Sequence, residues 1–96
     1  MLVSVIVPCF NESAVIEATL ERLAQVMEGC GHGSDYSYEL IFIDDGSRDD
    51  TLDKLKKAAQ KDGHVRYISF SRNFGKEAAM LAGLTYASGD CVVIMD

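Results

Sequence analysis

Val3-Ser4-Val5-Ile6-Val7-Pro8-Cys9-Phe10-Asn11-Glu12 is the stretch that decides the fold. Positions 3–7 form an apolar, β-branched run broken by one Ser, the pattern of a strand buried on both faces. The run gives way to polar residues after Pro8. From about 12–27 the apolar residues Ile16, Leu20, Leu23, Ala24 and Met27 then follow helical spacing, with Asn11 as the expected N-cap. The same succession recurs along the chain. Residues 40–43 are a second strand that ends in Asp44-Asp45-Gly46-Ser47. Ser47 and Asp50 are the expected caps of a helix over about 50–61, closed by Gly63. Residues 65–70 are a third strand, followed by Ser71-Arg72-Asn73 and a helix over 76–87. In that helix Ala78, Ala79, Ala82 and Gly83 make a small face suited to close packing on a sheet. Residues 91–95 are a fourth strand that runs into Asp96.

This βαβαβαβ order predicts an α/β, Rossmann-like parallel sheet. Right-handed crossovers favour strand order 3-2-1-4 with helices on both faces. In an open parallel sheet the carboxyl ends of the strands share one edge, and ligands bind there. Phe10, Asp45, Arg72 and Asp96 are therefore expected at a single crevice. A Gly-rich loop, Gly29-Cys30-Gly31-His32-Gly33-Ser34, is the one longer connection.

Composition narrows the class of partner. The 96 residues carry a net charge of −6, which argues against a broad nucleic-acid or anionic-membrane surface. A 48% apolar content with 25% charged residues is that of a globular chain. No apolar run approaches the roughly 20 residues of a membrane helix, and the N-terminus lacks the basic and apolar regions of a secretory signal. The three cysteines have no metal-type spacing; Cys9 and Cys91 fall at opposite ends of the sheet, so reduced thiols are expected. His32 and His64 are expected away from the ligand edge, in solvent.

The residues at the strand ends suggest the chemistry. Successive side chains of a strand alternate in direction, so one of Asp44 and Asp45 can face the crevice while the other faces a loop. A crevice-facing carboxylate accepts from the imide or amide N–H of a uracil or guanine edge, although Asp-Gly also marks a plain turn. Phe10 could cover the flat face of a base or ribose. Glu12 could reach a ribose hydroxyl, or simply favour the helix dipole. Arg72 and Lys76 bracket a helix start, where cations are mildly unfavourable unless an anion binds there. Asp96 could share a divalent cation with a diphosphate. The first turn has no Gly-x-Gly-x-x-Gly, which disfavours a nicotinamide oxidoreductase, and Gly75-Lys76 lacks the rest of a P-loop. A phospho-acceptor signalling domain wants acidic residues where this chain has Pro8-Cys9-Phe10 and Ser71-Arg72.

Together, Val3 to Glu12, Ile43-Asp44-Asp45-Gly46-Ser47 with Asp49, Asp50 and Thr51, Ser71-Arg72-Asn73-Phe74-Gly75-Lys76-Glu77, Ala87-Ser88-Gly89-Asp90 and Ile94-Met95-Asp96 resemble a family 2 glycosyltransferase of the GT-A fold. The resemblance covers the whole chain. It leans to the branch of dolichol-phosphate mannose synthase and the bacterial undecaprenyl-phosphate glycosyltransferases. It implies a UDP- or GDP-sugar donor, with Pro8, Phe10, Glu12, Ile43 and Asp45 around base and ribose and Lys76 near the phosphates. Phe10 stands where Tyr is common. Asp96 matches the first Asp of the family's Asp-x-Asp motif, which holds Mg2+ or Mn2+. The implied acceptor is a polyprenyl phosphate, at the cytoplasmic side of a membrane. On this reading residues 1–96 are the N-terminal nucleotide-sugar half of the domain, cut at the metal motif and expected not to transfer sugar alone. A non-catalytic nucleotide-binding or structural fragment is the alternative, and a homo-oligomer formed through a sheet edge stays open.

Overall fold

The computed structural model describes residues 1–29 and 36–95. Cys30, His32 and the Gly-rich segment around them, together with Asp96, lie outside the described residues. The elements run β1 (Leu2–Cys9), α1 (Ser13–Gly29), β2 (Ser37–Asp44), α2 (Thr51–Lys61), β3 (Val65–Ser69), α3 (Lys76–Tyr86) and β4 (Cys91–Ile94). The four strands are parallel in the order β3-β2-β1-β4. This is the expected topology, and handedness explains it. Two crossovers carry the chain outward in one direction and the third brings it back across β1, so α1 and α2 share one face and α3 takes the other.

Strand alternation divides the core accordingly. Val5, Val7, Leu40 and Phe42 pack under α1 and α2 with Ile16, Leu23 and Leu55. Ile6, Ile41 and Ile43 pack under α3 with Ala79. The small face of α3 is needed for that approach. A Cβ at Gly83 would overlap Ile6 Cγ2 and stand 3.0 Å from Ile43 Cδ1, and both Ile side chains are fully buried.

β2 extends three residues further back than its apolar run, through Ser37, Tyr38 and Glu39. Glu39 belongs in the sheet because its charge is satisfied there. Its carboxylate accepts from Ser4 Oγ at 2.5 Å, Ser88 N at 2.9 Å and Arg66 Nη1 at 2.7 Å. Burial pushes the Glu39 carboxyl up, but these hydrogen bonds outweigh it and hold it below the usual range. Pro8 is tolerated inside a central strand because the β1–β4 pairing covers only Val3 to Ile6, so its missing N–H falls past the end of that ladder. β4 is exposed along its length, with apolar Val92, Val93 and Ile94 toward solvent.

Two details around the α2–β3 connection differ from expectation. Asp62, not Gly63, caps α2, in an extended conformation with its N–H on Ala58 O. His64 is not simply solvated: its ring stacks on Tyr38 at 4.1 Å and lies 2.7 Å from Asp62 Oδ1.

Candidate functional site

The carboxyl ends of β1, β2 and β3 stand side by side, with Cys9 paired to Asp44 and Asp44 to Ser69. The turns leaving them enclose a cleft of about 520 Å³. Phe10, Asn11, Asp44, Ser47, Phe70 and Arg72 are among its lining residues. Phe10 is 42% exposed, which suits a ring held ready for a ligand rather than for the core. A larger groove of about 720 Å³ runs between α1 and α2. It is lined by mixed surface charges, among them Glu17, Glu21, Lys54 and Lys57, and lies on the helical face rather than at the strand ends.

Alternation along β2 fixes the two acids. Asp44 points to the α1/α2 side, where Oδ1 accepts from Ser47 N at 3.1 Å. Asp45 points to the α3 side, where Oδ1 accepts from Phe74 N at 2.8 Å and Oδ2 from Gly75 N at 3.1 Å. Asp45 is only 4% exposed. Of the pair, Asp44 lines the cleft, and Asp45 accepts from the loop ahead of α3.

The loop from Gly46 to Asp50 ties the edge together. Asn11 has φ +51, which removes it from the expected capping role. Instead its N–H donates to Ser47 Oγ and its Oδ1 accepts from Arg48 N at 2.7 Å. Glu12 holds the cap position of α1, its carbonyl accepting from Val15 N and Ile16 N. Its own N–H donates to Thr51 Oγ1, and Ser13 N donates to Asp49 Oδ2. Asp49 also accepts from Thr51 N at the start of α2, while Asp50 makes no side-chain cap there and instead accepts from Ser13 Oγ. One acid, Asp49, thus serves two helix N-termini. The Thr51 hydroxyl leads the hydrogen bonds that hold its carboxyl below the usual range. Sequence reasoning missed Asp49 as a cap because half of its work lies 36 residues away.

The remaining site residues fall as follows. Pro8 is half-buried in β1, Glu12 is exposed at the start of α1, and Lys76 is exposed at the first position of α3. Ile43 is fully buried in the core under α3. The Arg72 guanidinium lies 4.8 Å from the Phe74 ring centroid, and Phe74 meets Phe70 edge-on at 5.6 Å. Cys9 is buried at the same edge. Burial first, then the negative charges of Asp44, Glu12, Asp49 and Asp45, push its thiol up to about 12. It is therefore protonated at neutral pH and unsuited to attack. Cys9 and Cys91 are free thiols, as expected.

Among the described residues no group of three or more His, Cys, Asp and Glu converges to hold a metal ion. The described residues alone do not make a divalent-cation site, and the residue assigned to one, Asp96, lies outside them.

Comparison with known proteins agrees with this geometry. The profile of Glycosyl transferase family 2 matches residues 4–96. The chain is 45% identical over 95 residues to the putative glycosyltransferase CsbB of Bacillus subtilis (strain 168), covering 99% of this chain and 28% of that protein. It is 41% identical over 96 residues to the bactoprenol glucosyl transferase of Shigella phage SfV, covering 100% and 30%. The crystal structure of S. aureus TarS 1-349 in complex with UDP superimposes with a TM-score of 0.79 at 28% identity, over 100% of this chain and 27% of that one. The mannosyltransferase PcManGT from Pyrobaculum calidifontis, in complex with GDP-Man and Mn2+, gives 0.75 at 26% identity, over 94% and 25%. The chain thus spans less than a third of each of these proteins.

Proposed function

The chain belongs to glycosyl transferase family 2, and we propose that it forms the nucleotide-sugar-binding part of a hexosyltransferase whose acceptor is a polyprenyl phosphate. The observation that carries this reading is the strand-end cleft, with the rings of Phe10 and Phe70 and the guanidinium of Arg72 on its walls. Its volume of about 520 Å³ falls within the range of small-molecule sites. An aromatic ring stacks on the flat face of a base, and a guanidinium donates to the oxygens of a diphosphate. UDP and GDP-mannose, bound in two similar structures, present both features.

Phe10 is assigned to the base or ribose, Glu12 to a ribose hydroxyl and Lys76 to the phosphates, with Pro8 fixing the turn that carries Phe10. The polyprenyl-phosphate acceptor is carried over from relatives such as the phage bactoprenol glucosyl transferase. Such an acceptor is a membrane lipid, so the proposed site of action is the cytoplasmic surface of a membrane. Among the described residues no helix is long and apolar enough to cross one.

In the proposed reaction an acceptor phosphate oxygen bonds to the sugar's anomeric carbon. The bond from that carbon to the donor's β-phosphate oxygen breaks, and the nucleoside diphosphate leaves with the electron pair. A phosphate is already ionised at neutral pH, so the step needs no dedicated base. The residues of this chain hold and orient the donor and set positive charge beside the departing diphosphate. Mg2+ or Mn2+, held in part by Asp96, would supply further charge there.

Calorimetric titration of the chain with UDP, GDP and their hexose conjugates, with and without Mn2+, tests the reading. Saturable binding to at least one is expected, weakened about tenfold by Phe10→Ala through the lost stacking. No binding by any of them at millimolar concentration would refute it.

A further inference from the structure

The β1–β2 ladder ends at Cys9 and Asp44. Past it, side chains set how far apart the turns leaving the two strands stand, and those turns carry Phe10 and Asp44 on the walls of the cleft. Asp49 is the hub of that spacing. Its Oδ2 accepts from Ser13 N at 3.1 Å, and its Oδ1 accepts from Thr51 N at 3.0 Å and Thr51 Oγ1 at 2.5 Å. Hydrogen bonds to a carboxylate are among the stronger ones. The Thr51 hydroxyl has one proton, and it is directed at Asp49. Its lone pairs are then left for Glu12 N, which donates to it at 3.0 Å. Thr51 is fully buried, so water does not replace these bonds. Removing the Asp49 carboxylate therefore loosens two amides at the start of α1, Ser13 directly and Glu12 through the hydroxyl. Phe10 stands two residues ahead of Glu12. Asp49 itself is exposed and does not line the cleft.

We propose that Asp49 is a positioning residue for the bound nucleotide: through the Thr51 hydroxyl and the Ser13 amide it holds the Phe10 to Glu12 turn at a fixed distance from the wall that carries Asp44. This rests on the nucleotide reading given above. A turn set before the ligand arrives costs less to order on binding. Loss of Asp49 therefore weakens nucleotide binding by way of Phe10, an effect that a helix cap alone does not have.

The test titrates the wild-type chain and its variants with UDP and with GDP, well below their melting temperatures so that folded protein is compared. Asp49→Ala is expected to weaken binding of whichever nucleotide the wild type takes roughly tenfold. Thr51→Val should do the same, and Thr51→Ser, which keeps the hydroxyl, should bring affinity back to within about threefold of the wild type. In a Phe10→Ala background, Asp49→Ala should change affinity less than about twofold, because the ring it positions is gone. A lower urea midpoint with unchanged affinity would overturn the inference and leave Asp49 a helix cap. So would a loss that adds in full to that of Phe10→Ala. Should Asp49→Ala not fold, Asp49→Asn carries the same comparisons, since it keeps one oxygen for Thr51 and loses the bond to Ser13. Hydrogen exchange gives a readout without ligand. The Glu12 and Ser13 amides should exchange at least about tenfold faster in Asp49→Ala than in the wild type, while the Leu40 to Ile43 amides stay unchanged. Equal rates at Glu12 and Ser13 would overturn the positioning role. If the wild type binds neither nucleotide, the proposed function fails, and the exchange rates alone judge whether Asp49 holds the turn.

Discussion

Replacing Gly46 with Ala strikes the turn at its tightest point. Two penalties add there. The backbone at φ +75 is one that L side chains rarely adopt, a cost of about 1–2 kcal/mol. The new Cβ also overlaps the carbonyl carbon of Arg72 and stands 2.8 Å from its Cα. Backbone atoms cannot swing aside as a side-chain end can, so the overlap costs a further amount of about 1–3 kcal/mol. The total of about 2–5 kcal/mol is a large share of the roughly 5–15 kcal/mol that holds a domain folded. Urea unfolding followed by circular dichroism measures it. The midpoint should fall with an unchanged slope, and the melting temperature should drop by at least about 8 °C. Gly29→Ala is the control, since a Cβ at Gly29 meets nothing within 4 Å and the change should stay within about 1 kcal/mol. A Gly46→Ala variant that unfolds with the wild type would show that the two loops do not meet as described.

Two further outcomes follow from titrating groups. Glu39 is held below its usual value of 4.5, so the stability it contributes is present above that pH and is lost as pH falls through its lowered value. Glu39→Gln should shrink the acid-side loss seen in urea midpoints as pH falls below 4.5, and an unchanged acid arm would contradict the assignment. Cys9 is raised from 9.0 to about 12, so its contribution is complete below pH 9.0 and declines as pH rises toward 12. In a Cys30→Ser background, a disulfide reagent at pH 8 should label exposed Cys91 within minutes and Cys9 only on unfolding. Prompt labelling of both would place Cys9 at the surface.

The fold was legible because its signals are local. Apolar β-branched runs marked all four strands, helical spacing marked the three helices, and the handedness of crossovers then left few topologies. The boundaries moved where distant partners rewrote local preference. Glu39 entered β2 because Ser4, Ser88 and Arg66 meet it. Asn11 left its expected capping role because Ser47 and Arg48 claim it.

Local patterns along the chain were enough for a parallel α/β sheet, the edge at which its polar turns gather, and the family to which the chain belongs. Which acid meets which group emerged from the three-dimensional contacts. They send Asp45 to the loop before α3 and Asp44 to the cleft, retire the Ile43 side chain into the core, and set Asp49 across two helix starts. The physical reason is that strand periodicity orients a side chain only relative to its neighbours. Which face meets a ligand, and which amides a carboxylate satisfies, depends on backbone brought in from tens of residues away.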